Sequence, residues 1–253
     1  MITNDKLVIR TIQIGMLVAL FGAWYLATRS GGTLKLFLPA PELVWREMGV
    51  LVRSGQLWSS LYVTLASIAK AYVIAVVAGI AVGFAVARSR TLVHMFEPVL
   101  SGMFAVPLTM FFPLFVLFFG IGPDSKVAYG ATYAFFPIAL NTIAGLANVE
   151  SRYINAAKSM GFSRFGTFRH VLFPAAFPVI ITGLRIGFFI CFASVLGGET
   201  ISSVSGVGRY IALAAELMEP ARMFAWITVV IVTAMVLNGV VSVLENRMRR
   251  ASP

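Results

Sequence analysis

Three ionisable residues, Lys70, Arg185 and Glu199, fall within or at the edge of long apolar runs. A charge at membrane depth is costly, so such a residue faces a cavity, a partner or an interface. Two fixed cations and one anion suit a path for anionic solutes. A transient cation lowers the cost of moving an anion through low dielectric, and it must hold weakly enough to let go. On this reading Glu199 has Lys70 as a candidate partner. The competing reading is that Lys70 and Arg185 snorkel, stems in the apolar run and charged heads at the interfaces. The sequence leaves both open.

Covalent chemistry has no credible residues. His94 and His170 are far apart, and neither stands at metal-ligand spacing from a cysteine or an acid. Both read as loop histidines, and no metal site is expected. No serine sits in a nucleophile elbow. Cys191 is the single cysteine, so an internal disulfide is impossible and a redox role has no second thiol. Gly206-Val207-Gly208 lacks the third glycine and the strand of a dinucleotide fingerprint, and no Walker-type loop is present. No catalytic or cofactor-binding residue is expected, and ATP-driven work would fall to another chain. Ser205, Gly206 and Gly208, within the Ser- and Gly-rich stretch Ser202–Tyr210, are instead candidates for a mobile outer gate or docking surface. A plain surface loop is the alternative.

A second stretch could do mechanical work. Asn155-Ala156-Ala157-Lys158-Ser159-Met160-Gly161, closing at Phe173-Pro174, lies between two apolar runs without being one. Arg152, Lys158, Arg164 and Arg169 make it basic. A short helix through Ala156 and Ala157 should end at Gly161, because glycine takes the left-handed cap without a Cβ penalty. Ser163 can cap a second helix, with Phe165, Phe168 and Leu172 on one face. Pro174 limits its continuation as a regular helix. The result is either a compact basic docking knob or an ordinary capped loop.

The elements that carry these residues belong to a membrane protein. Hydrophobic residues are 59% and charged residues 12%, against about 45–50% and about 25% in soluble domains. A helix needs roughly 20 apolar residues to cross the hydrocarbon core. Six candidate spans lie near Thr11–Ala27, Ser67–Ala87, Val99–Phe119, Val127–Ala147, Ala176–Gly197 and Met223–Leu244. Lipid cannot satisfy open sheet edges, so helices are expected, and no ten-residue alternation supports a β-barrel. The fold expected is all-α and polytopic, one transmembrane domain over residues 1–253. Residues 11–27 form a retained anchor rather than a cleaved signal, residues 61–245 the core, and residues 148–174 a cytoplasmic loop.

Charge placement orients it. With the N-terminus in the cytoplasm, Lys6, Arg10, Arg88, Arg90, Arg152, Lys158, Arg164, Arg169, Arg247, Arg249 and Arg250 lie inside. Arg29, Lys35, Arg46, Arg53, Lys126, Arg209 and Arg222 lie outside. That excess of eleven over seven favours cytoplasmic termini. The net charge of +10 therefore reads as orientation plus a contact surface, and its spread over separate loops argues against nucleic-acid binding.

Proline and glycine add detail. Pro107 and Pro113 in the third span, and Pro137 with Asn141 in the fourth, break the backbone ladder and need neighbours or a wet cavity to satisfy it. Gly79 and Gly83 form a small-x-x-x-small face for close helix contact. After Leu38-Pro39-Ala40-Pro41, an amphipathic helix with Val44, Met48 and Leu51 on one face should lie in the outer interface.

The stretch from Asn155 to Pro174 resembles the EAA loop of ABC importer permeases, a pattern of Glu-Ala-Ala, a following Gly, then Ile-x-Leu-Pro. Ala156, Ala157, Gly161 and Pro174 match. Asn155 replaces the Glu, Val171 the Ile and Phe173 the Leu. Leu38-Pro39-Ala40-Pro41, Phe119-Gly120-Ile121-Gly122 with Ser125-Lys126, Phe136-Pro137-Ile138 with Asn141-Thr142, Gly183-Leu184-Arg185 and Ser205-Gly206-Val207-Gly208 resemble the nitrate, sulfonate, taurine and bicarbonate branch. The likeness covers most of the chain beyond the first span. Ala105-Val106-Pro107-Leu108-Thr109 is looser than the branch's proline-rich pattern.

The resemblance implies a type I importer permease in a bacterial inner membrane. Two copies form the pore, the EAA loop docks in a cytoplasmic ATPase that holds ATP and magnesium, and a solute-binding protein docks outside. Asn155, Ala156, Ala157, Gly161 and Pro174 become coupling residues, and the neutral Asn155 stands where the motif's Glu would bring a charge to the ATPase. The solute implied is a small anion: a sulfonate, taurine, nitrate, bicarbonate or an aromatic carboxylate. A heterocyclic vitamin precursor is the alternative within the family. A channel or ion-driven transporter is a further class, disfavoured by the docking knob, and an intramembrane enzyme lacks a catalytic set.

Overall fold

The computed structural model describes residues 2–29 and 37–251, and among them every regular element is helical. Lys35 lies outside the described residues, as do the side chains of Lys6, Arg249 and Arg250. The helices are α1 (Ile2–Arg29), α2 (Pro41–Arg53), α3 (Gln56–Ala87), α4 (Arg90–Ala105), α5 (Phe112–Phe119), α6 (Pro123–Ala147), α7 (Ser151–Ser159), α8 (Arg164–Thr167), α9 (Phe173–Ile201), α10 (Val207–Glu216) and α11 (Pro220–Ala251). Five stretches are long and apolar enough to cross a membrane: Val8–Arg29, Gln56–Ala87, Pro123–Ala147, Arg164–Ile201 and Pro220–Glu245.

The third expected span differs. Instead of one helix over Val99–Phe119, α4 and the segment Leu108–Phe119 form a pair bent by 74°. The cause is local. Val106, ahead of Pro107, is extended at φ −73°, ψ 130°, because a residue before proline is pushed out of the α region. Pro107 offers no N–H to continue the ladder. The chain restarts through a 3-10 turn over Leu108–Phe111, and Pro113 then sits harmlessly in the first turn of α5.

The chain divides into two compact units. The first comprises Met1–Trp58 and Tyr210–Ile231. There the Trp24 indole donates to the Pro39 carbonyl at 3.1 Å and stacks near Phe224. Helix α2 forms as expected, with Pro41 in its first turn and Val44 and Leu51 buried. Arg222 pairs with Glu219 at 2.9 Å and Glu47 at 3.5 Å.

The second unit comprises Ser59–Arg209 and Val232–Pro253, and α6 is its centre, with 61% of its apolar stretch buried. Glycines let two helices approach it. A Cβ on Gly79 or Gly83 of α3 would fall 2.8 Å from Ile138 or 2.5 Å from Thr142. From α9, a Cβ on Gly187 would fall 2.6 Å from Ile138, and one on Gly183 would overlap Asn141. The small-residue face expected on α3 is therefore half of a two-sided clamp. Close backbone approach of this kind replaces the hydrophobic drive that lipid cannot supply. Asn141 Nδ2 donates to the Pro137 carbonyl at 2.8 Å, a side-chain bond within the same helix. Val86, Val93, Leu100, Phe136 and Ile143 close an apolar cluster across α3, α4 and α6.

Candidate functional site

The loop between α6 and α9 is a rigid two-helix knob. Helix α7 ends in a full Schellman cap: the Phe162 amide donates to Ala157 O at 3.1 Å and the Gly161 amide to Lys158 O at 3.0 Å. Gly161 takes φ +80°, as that motif requires. Ser163 Oγ accepts from the Gly166 amide at 3.1 Å and starts α8. Ala157 is fully buried and Thr167 nearly so, which fixes the two short helices together.

The second helix passes Pro174, but not as a regular α-helix. It runs from Arg164 through a π turn over Phe168–Leu172 into α9, to Ile201. The Phe173 amide reaches back to Phe168 O, five residues away. That wider turn accommodates Pro174, which lacks an N–H, at the start of the next α segment. The expected face of Phe165, Phe168 and Leu172 holds in part. Phe168 and Leu172 pack on the cluster of Leu146, Ala176 and Ile180, and Phe168 meets Phe84 edge-on. Phe165 instead points outward at 70% exposure, and Met160 is 69% exposed. Asn155, Ala156, Gly161, Lys158, Arg164 and Arg169 are exposed and Pro174 is half-buried. The knob thus exposes two large apolar side chains and three cations, and the helix behind it continues to Ile201.

The three ionisable residues are not brought together. Arg185 donates to Glu245 Oε2 at 2.8 Å and to Asn238 Oδ1 at 3.3 Å. It lines a crevice of about 260 Å³ with Tyr72, Phe188 and Glu245. Lys70 is exposed on α3. A larger groove, about 640 Å³, is lined by Ile74, Ala78, Phe115, Phe119, Ala131 and Phe135 among others, with no lysine or arginine.

Glu199 is not Lys70's partner. It is 2% exposed, and both carboxylate oxygens accept from Thr64 Oγ1 at 2.9 Å. Oε2 also accepts from the Gly208 amide at 2.9 Å. Ser205 and Gly206 belong to the loop that folds over this carboxylate and Gly208 to the first turn of α10, and Val207 beside them is 1% exposed. The stretch is packed rather than a plain surface loop.

Sequence reasoning missed three partners. Thr64 and Glu245 carry no local pattern that would mark them. Lys126, counted as an outer cation, is 1% exposed. It donates to Ile121 O at 2.6 Å and Gly122 O at 3.0 Å, capping the turn after α5.

Comparison with known proteins agrees with this geometry. Residues 54–250 match the family described as binding-protein-dependent transport system inner membrane component. The chain is 31% identical over 243 residues to the taurine transport system permease protein TauC of Escherichia coli, covering 94% of this chain and 88% of that one. It is 28% identical to the putative aliphatic sulfonates transport permease protein SsuC of Bacillus subtilis, covering 83% and 76%. It is also 28% identical to the riboflavin transport system permease protein RibX of Chloroflexus aurantiacus, covering 93% and 87%. Among solved structures, the inward-facing MetNI methionine ABC transporter shares the fold, with TM-score 0.58, 19% identity and coverage of 85% and 99%. The chain belongs to the family of binding-protein-dependent transport system inner membrane components, and is a multi-pass, all-α permease of an ABC importer.

Proposed function

We propose that this permease imports a small organic anion of the taurine or sulfonate kind, as two copies of one permease domain driven by a separate ATP-binding subunit. ATP and magnesium sit on that subunit and none on this chain. A solute-binding protein delivers the solute from outside, and both termini are cytoplasmic. The observation that carries the mechanism is the knob of α7 and α8, doubly capped and continuous with α9. A rigid lever suits the conversion of ATP-driven closure into rocking of the two halves. Asn155, Ala156, Ala157, Gly161 and Pro174 are its coupling residues, and the exposed tip of Met160 and Phe165 with its cations is the surface for the ATPase. Lys70, exposed on α3, is the cation best placed to meet a passing anion. Arg185 is half-neutralised by Glu245 and serves less well. The solute class rests on the names of the taurine and sulfonate relatives.

The test is reconstitution with the binding protein and ATPase in liposomes, followed by uptake of taurine, alkanesulfonates, nitrate, bicarbonate, aromatic carboxylates and riboflavin. Sulfonate-selective, ATP-dependent uptake is expected. Riboflavin uptake without sulfonate uptake would overturn the anion reading. Uptake without the ATPase would overturn the importer mechanism.

A further inference from the structure

Glu199 sits in the last turn of α9, where a carboxylate is electrostatically disfavoured by the helix's negative end. Its burial there needs a reason, and the start of α10 supplies one. The first amides of a helix have no partner within it. On α10 the first two are satisfied from other elements. The Val207 amide donates to Thr64 Oγ1 at 2.9 Å, and the Gly208 amide donates to Glu199 Oε2 at 2.9 Å. The Thr64 hydroxyl in turn donates a hydrogen bond to Glu199 at 2.9 Å. Three hydrogen bonds thus close a ring through α3, α9 and α10. Glycine makes the ring possible. Gly206 takes φ +100°, and a Cβ there would overlap the Glu199 carboxylate. A Cβ on Gly208 would fall 2.6 Å from Glu199 Cβ. The loop between them leaves Ile201 and Val204 facing outward, at 56% and 62% exposure.

We propose that Glu199 is a positioning residue. Its carboxylate caps α10 from a neighbouring helix and, with Thr64, pins the loop 202–206, so that the solute-binding protein meets a fixed surface carrying Ile201 and Val204 rather than a mobile gate. The docking half of this proposal rests on the orientation and partner proposed above. The pinning half does not.

The carboxylate is needed as an acceptor of fixed reach. Glu199→Asp withdraws it by one methylene, and Thr64→Val removes both bonds made by the hydroxyl. Glu199→Gln keeps the reach: its amide oxygen can take the Gly208 amide, and its NH2 can turn to a lone pair on Thr64. Thr64→Ser keeps the hydroxyl. The first experiment is amide hydrogen exchange on the purified permease in lipid nanodiscs. Exchange at Val207 and Gly208 should be about tenfold faster or more in Thr64→Val and Glu199→Asp, with wild-type protection in Thr64→Ser and near it in Glu199→Gln. Unchanged protection in Thr64→Val and Glu199→Asp would overturn the pinning. The second is uptake against binding-protein concentration. Thr64→Val and Glu199→Asp should raise the half-saturating concentration several-fold and lower the maximal rate less. A loss of maximal rate alone would overturn the docking role. Glu199→Gln as damaging as Glu199→Asp, with protection intact, would show that the negative charge itself is required and overturn the positioning assignment. Uptake by the unaltered protein that ignores the binding protein would overturn the parent reading and the docking role together, while exchange would still judge the pinning.

Discussion

Arg185 Nη1 donates to Glu245 Oε2 across 2.8 Å, while Nη2 donates to Asn238 Oδ1 at 3.3 Å. Asn238 and Glu245 are seven residues apart on α11 and so share one face. The guanidinium therefore ties α9 to two turns of α11. The carboxylate is the more enclosed partner, its side chain 11% exposed against 42% for Arg185.

Removing either partner should cost stability, and removing both should cost less than the sum. Exposed pairs contribute about 0–1 kcal/mol and broken buried pairs cost about 3–5 kcal/mol. This half-wet pair should lie between, at about 1–3 kcal/mol for Glu245→Gln. The double variant Arg185→Gln with Glu245→Gln should recover part of that loss in thermal unfolding in detergent. Uptake separates a structural role from a path role. If Arg185 also serves the solute, the double variant regains stability but not uptake. If uptake returns with stability, Arg185 is a strut.

The clamp around α6 gives a prediction about packing. Gly183→Leu and Gly187→Leu must push α9 off Asn141 and Ile138, whereas Gly239 on α11 has nothing within 4 Å of its Cβ position. Overpacking costs about 1–3 kcal/mol even where neighbours can shift, and backbone stands behind these contacts. Both clamp variants should lose folded yield and unfold earlier, and Gly239→Leu should behave as wild type in the isolated chain. Equal behaviour of all three would remove the clamp from the account of the fold.

What the sequence made legible was local. The end of α7 at Gly161, the Ser163 cap and the first turn of α2 each depend on a few adjacent residues with one conformational preference. The approximate spans followed from hydropathy alone. Long-range pairing left no such mark: nothing adjacent to Glu199 points to Thr64, 135 residues away, and nothing near Arg185 points to Glu245. The continuous helix through Pro174 was hidden for a different reason. A π turn has no composition signature, and it removes the conflict that made proline look like a stop. The break at Pro107 was half legible: two prolines announced irregularity, but not its 74° size.

The knob's geometry and its charge can be tested separately at Gly161. No atom lies within 4 Å of its Cβ position, so substitution there costs only backbone strain at φ +80°. Asn tolerates that region, and Gly161→Asn should cost under about 1 kcal/mol and keep uptake near wild type. Gly161→Asp makes a similar backbone demand but places an acid among Lys158, Arg164 and Arg169. It should weaken co-purification of the ATPase and lower uptake while leaving the isolated permease folded. If Gly161→Asp and Gly161→Asn are indistinguishable in ATPase capture, the charge of the tip plays no part in docking.

Orientation is open to direct labelling. Of the seven basic residues assigned outside, Lys126 is 1% exposed and donates to two carbonyls. It caps a turn in the folded protein and still counts among the seven outer cations set against eleven inner ones. Cys191 is fully buried, which should keep the native thiol silent to polar maleimides. Ser163 caps α8 through its hydroxyl, so Ser163→Cys would loosen the knob it reports on. Ser159→Cys, exposed at the end of α7, is the gentler inner probe, and exposed Ser54→Cys the outer one. In intact cells Ser54→Cys should label with a membrane-impermeant maleimide, and Ser159→Cys only after the membrane is opened. The opposite pattern would put the knob outside, away from any cytoplasmic ATPase, and the coupling role of α7 and α8 would fall with it.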